Sequence, residues 1–190
     1  MPQPDHISAL PVPDAKELDA DIQAVYAKCM EKLGLVPNVL RAYSFNQQKL
    51  RNFMTMYNEL MLGDSKLSKL EREMIAVVVS SANRCYYCLV AHGQAVRRLS
   101  GDPELGEMMV LNYRVAKLER RQRVMLDFAW KLTVTPHLVE EPDRAALREA
   151  GLSAEEIFDL ADTVAFFNLS NRMAFALDMM PNRDYHRLDR

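Results

Sequence analysis

The sequence is short of glycine, cysteine and net charge, and each shortage narrows what the chain can be. Six glycines in 190 residues, with no stretch of alternating Val, Ile or Thr of strand length, argue against a sheet protein built on tight turns. Three cysteines cannot staple a chain of this length into a secreted disulfide framework. The 24 basic and 26 acidic residues leave a formal charge of −2, so the field of the molecule gives no reason to expect nucleic acid or an anionic membrane as partner. No apolar run reaches the roughly 18 residues of a membrane span, and MPQPDHISALPVPDAKELD has neither the basic start nor the apolar centre of a signal peptide. The expectation is a soluble, cytoplasmic protein without nucleic-acid or membrane partners.

What is present is helical periodicity, on a chain of which 49% is apolar. The fold class expected is all-α, in one domain over residues 14–180. Pro2, Pro4, Pro11 and Pro13 mark residues 1–13 as an extended arm of the kind that often packs on a neighbouring subunit, and residues 181–190 as a C-terminal tail complete the expected organisation. Helices are expected over residues 14–33, closed by Gly34, and over 37–62, closed by Gly63. Ser68 with Glu71 forms a capping box, hydroxyl and carboxylate each satisfying the other's free backbone donor, and opens a helix through "MIAVVVSSA". That helix is apolar on nearly every side and belongs in the interior or in an interface. Further helices are expected from about 85 to 99, over 103–112, 117–135 and 142–150, and from a second capping box, Ser153 and Glu156, to the end of "ALDMM". Twelve methionines suit the gaps of a helical core.

The two boxes open segments, "LSKLEREMIAVVVSSANRCYYC" and "LSAEEIFDLADTVAFFNLSNRM", that align without gaps at an offset of 85 residues, which gives the expectation of a weak internal helix-pair repeat. Cys85 and Cys88 fall opposite Ser170 and Met173, so thiol chemistry is confined to the first copy.

The candidate chemistry lies in "RCYYCLVAHG". On a helix Cys88 lies about 300° and His92 about 340° around from Cys85, so all three share a stripe about 60° wide. A helix starting near Cys85 surrounds that sulfur with unpaired N–H groups and the positive end of the macrodipole, which favours thiolate. A second thiol three residues on lies within disulfide reach. His92, one turn past Cys88, can take a proton from it, and Glu73, on the flank of the buried stripe Leu70, Met74, Val77 and Ser81, is a carboxylate able to orient that imidazole if the next helix returns antiparallel.

Glu73, eleven residues, Cys85, two residues, Cys88, three residues, His92: this pattern resembles the alkylhydroperoxidase AhpD-like branch of the carboxymuconolactone decarboxylase family. The likeness covers residues 40–180, with its specific core from Ser68 to Gly93. It implies an AhpD-like helical bundle and a thiol-dependent hydroperoxide reductase with Cys88 as the attacking sulfur, Cys85 as the resolving one, and Glu73 and His92 as a proton relay. It further implies an organic hydroperoxide as substrate, a thioredoxin-like or lipoyl-bearing reductant, a homo-oligomer (dimer, trimer or hexamer), and no metal, haem or other cofactor. One departure stands out, because the best-studied sites of this branch have a histidine directly before the second cysteine where this chain has Tyr87.

Competing readings attach to the same residues. The cysteines alone would pass for buried apolar side chains, and C-x2-C-x3-H offers three zinc ligands, although His6, His137 and His186 stand isolated and supply no second cluster. The family's decarboxylase chemistry and a non-enzymatic redox-sensing module are the alternatives in function. Cys29 is read as core, His137 as a loop residue, and His186 as part of a tail that could reach a neighbouring subunit. Asn168 and Asn171 are read as amides bonded between helices, and Arg114, Lys117, Arg120, Arg121 and Arg123 as a solvated basic face.

Overall fold

A computed structural model describes residues 2–190, and among these every regular element is helical. The α-helices are α1 (Ala20–Leu33), α2 (Asn38–Tyr43), α3 (Gln47–Leu62), α4 (Lys69–Asn83), α5 (Tyr86–Ser100), α6 (Pro103–Asn112), α7 (Arg120–Val134), α8 (Glu141–Glu149) and α9 (Ala154–Ala176). The all-α expectation holds. None of these helices is long and apolar enough to cross a membrane.

The bundle is organised around α4, which packs against α5, α7 and α9. Six consecutive residues, Met74 to Val79, are fully enclosed, so this helix has no solvent face over nearly two turns. Each of the larger ones, Met74, Ile75, Val77, Val78 and Val79, contributes on the order of 1.5–3 kcal/mol by leaving water. Both capping boxes form. Ser68 accepts from the Glu71 N–H at 3.1 Å and Glu71 returns to the Ser68 N–H at 2.8 Å; Ser153 and Glu156 do the same at 3.3 and 2.7 Å.

Three boundaries differ from expectation, each because a polar side chain captured a helix start. Leu18 turns inward to near-complete burial, so Asp14 caps only a short turn over Ala15–Glu17 and the long helix begins after Asp19. The expected helix over 37–62 is two helices, since Asn46 accepts from the Lys49 N–H at 3.0 Å and restarts the chain. Glu119 and Gln122 form a third box that delays α7 to Arg120. The last helix ends at Ala176 rather than running through the methionines, and Asp178 follows in the left-handed region at φ 46°.

Both termini lie on their own chain. The Ala9 N–H donates to the Leu177 carbonyl at 2.8 Å, and the Met180 N–H to that of Ile7 at 3.0 Å. The tail forms a turn over Arg183–His186 that lies on α5, where the buried Arg97 donates to the carbonyls of Tyr185 at 2.8 Å and Leu188 at 3.1 Å.

The basic face is only partly a solvated one. Arg121 joins the two boxes, donating to Glu71 at 3.2 Å and Glu156 at 2.7 Å; Arg123 donates to the carbonyl of Ala116 at 2.7 Å; and the Arg114 guanidinium lies 4.7 Å from the Trp130 ring centroid.

Candidate active site

The site begins with a break. After Asn83, Arg84 takes the left-handed conformation (φ 58°) and closes α4 by donating to the carbonyls of Ser80 and Ser81. Cys85 then becomes the extended N-cap of α5, so its sulfur stands among the free N–H groups of a new first turn. Both cysteines are reduced and buried, Cys85 to 1% and Cys88 to 2% exposure, so each depends on protein rather than water for hydrogen bonds.

The two sulfurs titrate as a unit. Cys85 is held below the ordinary thiol value, chiefly because the Cys88 thiol donates a hydrogen bond to it. Burial opposes this, while the N–H groups of Cys88 and Tyr87 and the charge of His92 assist. Cys88 is pushed well above that value by the same hydrogen bond, by burial and by charge on Cys85; hydrogen bonds from Asn171 and Ser170 work in the opposite sense. The pair thus gives up its first proton readily, and the resulting charge rests on the sulfur at the helix start.

Because α5 turns back along α4, His92 and Glu73 meet: His92 Nδ1 lies 2.7 Å from Glu73 Oε2, with both side chains nearly buried. Nδ1–H donating to the carboxylate leaves Nε2 as the proton-accepting atom. Phe167 fixes the ring from the side by an edge contact with centroids 4.7 Å apart. Glu73, Cys88 and His92 line one cavity of about 750 Å³; Cys85 does not line it.

Tyr87 is the departure noted in the sequence, at the position directly before the second cysteine. Its hydroxyl accepts a hydrogen bond from the Val39 N–H at 2.8 Å, which ties α2 to α5. His186 and His137 lie outside the cavity: the first contacts Tyr86 and Gln3 at the surface, 3.2 Å from each, and the second sits in the turn Pro136–Leu138. Among the described residues no group of three or more His, Cys, Asp or Glu could hold a metal ion.

Asn168 and Asn171 make the expected interhelical bonds. Asn83 donates to Asn168 at 3.1 Å and to Asn171 at 2.9 Å, and Asn171 donates to Ser80 at 3.1 Å. Their neighbourhood was not foreseen: the fully buried Asn171 and its neighbour Ser170 also reach the Cys88 sulfur. Cys29 is half-buried rather than core, and it lines the same cavity with Tyr57, Arg98 and Tyr185, none of which the sequence reading singled out. The signal that could have found Ser170 was the alignment at an offset of 85, which sets it against Cys85.

Fold and site therefore define an all-helical protein with a two-cysteine helix start in its buried centre. The carboxymuconolactone decarboxylase family model matches residues 48–106. Over all of both chains, the structure is similar to that of an uncharacterized peroxidase-related protein from Silicibacter sp. TM1040, with 58% identity and a TM-score of 0.96. It is also similar to one from Ralstonia eutropha JMP134 described as an alkylhydroperoxidase AhpD core, with 41% identity over 98% of each chain and a TM-score of 0.95. The debrominase Bmp8 shares the fold at 17% identity, over 96% of this chain and 95% of its own, with a TM-score of 0.79. No curated protein matches. The chain belongs to the carboxymuconolactone decarboxylase family, in its AhpD-like branch.

Proposed function

We propose that the protein is a thiol-dependent reductase of organic hydroperoxides. The observation that carries this reading is the convergence of a hydrogen-bonded Cys85–Cys88 pair and a Glu73–His92 pair, with Cys88, Glu73 and His92 all lining one cavity. In the proposed cycle the first proton given up by the dithiol rests on His92 Nε2; Cys88 passes its own proton to the Cys85 thiolate and its sulfur attacks the peroxide. The O–O bond breaks, Cys88 becomes a sulfenic acid, and the departing alkoxide takes a proton from the His92–Glu73 pair. Cys85, deprotonated by His92, then attacks the Cys88 sulfur; the disulfide forms and the hydroxide leaves as water with that proton. One hydroperoxide and two thiols give one alcohol, one water and one disulfide. A dithiol reductant of the thioredoxin-like or lipoyl-bearing kind restores the thiols, and the working unit is a homo-oligomer.

The test is a peroxidase assay with either reductant. Turnover in the wild type, lost in Cys88→Ser, supports the proposal. Decarboxylase or lyase activity that survives Cys85→Ser and Cys88→Ser would replace it, and a disulfide that forms without turnover would leave a redox-sensing module.

A further inference from the structure

The cavity is polarised, and its charges point to what fills it. One face of α5 lines it, and along that face Cys88, His92, Ala95 and Arg98 follow one turn after another. Arg98 follows Cys88 by ten positions, so at about 1.5 Å of rise per residue their Cα atoms stand about 15 Å apart along the axis, and the arginine side chain leans back towards the thiol. The same cavity is lined by five aromatic rings, Phe53, Tyr57, Phe166, Phe167 and Tyr185. Burial drives the Tyr57 and Tyr185 phenols upward, Tyr185 to about 12, while the charge of Arg98 pulls both back, which sets that guanidinium within electrostatic reach of this wall.

The charges in the lining do not cancel. Its one carboxylate, Glu73, is engaged by His92, and Arg51 is neutralised by Asp19 at 2.6 Å and Asp21 at 2.7 Å. Lys28, Lys32 and Arg98 are exposed side chains that also line the cavity, so they stand at its mouth, and no acid of this chain pairs with them among the described residues. Lys28 and Lys32 are one turn apart on α1 and present their charges together. A long apolar channel with a nucleophile inside and uncompensated cations at its mouth fits an amphipathic anion better than a small neutral molecule.

We propose that the substrate is an organic hydroperoxide that carries its own carboxylate, with the peroxide at Cys88, the apolar body along the aromatic wall and the carboxylate at Arg98, drawn in by Lys28 and Lys32. This rests on the peroxidase reading for the reaction, but its ligand chemistry stands separately. Arg98 is a binding residue for the anionic head, remote from the O–O bond.

Two measurements separate the claims. In the first, dodecanoate and methyl dodecanoate compete with an apolar fluorescent probe for the reduced protein. The acid should bind at least about tenfold more tightly than the ester, as expected for a charge-assisted contact, and Arg98→Gln or the Lys28→Gln/Lys32→Gln pair should bring the two together. Equal binding of acid and ester to the wild type, or a preference that survives both variants, overturns the proposal. The second compares kcat/KM for linoleate hydroperoxide and for its methyl ester: a ratio that falls towards one in Arg98→Gln supports the proposal, and a ratio of one in the wild type overturns it while leaving the peroxidase reading intact. If no hydroperoxide is turned over yet dodecanoate binds through Arg98, the ligand class is supported and the reaction is what fails.

Discussion

Two segments with the same opening, α4 with α5 and α9, lie side by side in this molecule, and only the first carries the cysteines of the candidate site. Both open with a Ser–Glu capping box, and both glutamates meet the same Arg121. The expected helix pair is not repeated: the second segment runs unbroken as α9 for 23 residues, so Ser170, the counterpart of Cys85, lies within a helix whose backbone N–H groups are already engaged. The first copy breaks at Arg84 and starts again, which gives Cys85 a helix N-terminus. The difference continues outward: Glu73 is buried against His92, whereas its counterpart Phe158 is 70% exposed. A single left-handed residue turns a packing helix into a candidate thiolate site, and the unbroken copy supplies Asn171 and Ser170 as its support.

The contrast can be broken most severely at the sulfurs. Cys88→Ser, which leaves a hydroxyl at the proposed attacking position, should lower peroxidase kcat/KM by at least about a thousandfold, as removal of a nucleophile does, measured by steady-state turnover at matched reductant. Next in size is Glu73→Gln, which removes the charge that orients His92. A loss of about a hundredfold in kcat is expected with the disulfide still able to form, the scale of one general acid–base contribution; single-turnover kinetics check it.

The seam between the copies comes third. Asn171→Leu removes one hydrogen bond from each of Asn83 and Ser80, which keep Asn168 and the Ala76 carbonyl as partners, and should cost about 1–2 kcal/mol of stability by denaturant unfolding. The same change removes a contact that holds the Cys88 thiol down, so the lower limb of the pH–rate profile should move to higher pH. Arg121→Ala, at the other end of the seam, should cost about 1–2 kcal/mol at pH 7. That cost depends on pH through Glu156. Burial pushes its carboxyl up, but the backbone and hydroxyl of Ser153 and the Arg121 guanidinium outweigh burial, and the net value lies below the ordinary 4.5. Its stabilisation is therefore complete above pH 4.5 and is lost as pH falls through the lower folded-state value, so the wild type and Arg121→Ala should converge in acid. Smallest of all is Arg84→Gly, which relieves a left-handed side chain and should raise stability by about 0.5–1 kcal/mol without moving the break.

Much of this comparison was legible in the sequence because it is written in local chemistry. A capping box spans four residues, and the break near Asn83 lies where the apolar run ends, so α4, the start of α5 and the start of α9 could be read directly. Glu73 and His92 could be brought together by supposing one antiparallel return. What stayed hidden depends on distant partners. Arg121 sits in a run of cations that resembles any solvated face, and only folding delivers Glu71 and Glu156 to it. Asn46 interrupts a helix that the apolar pattern would have continued. The tail is fastened through backbone carbonyls to Arg97, and backbone atoms carry no sequence signal, so neither its docking nor the place of Tyr185 in the cavity could be anticipated.

The central claim is that the break at Arg84 creates a dithiol that a hydroperoxide converts to a disulfide. Mass spectrometry of the reduced protein after one equivalent of cumene hydroperoxide tests it most directly. The account predicts a product two hydrogens lighter, with Cys85 and Cys88 joined in one peptide; a stable one-oxygen adduct on Cys88, or two unmodified thiols, would contradict it.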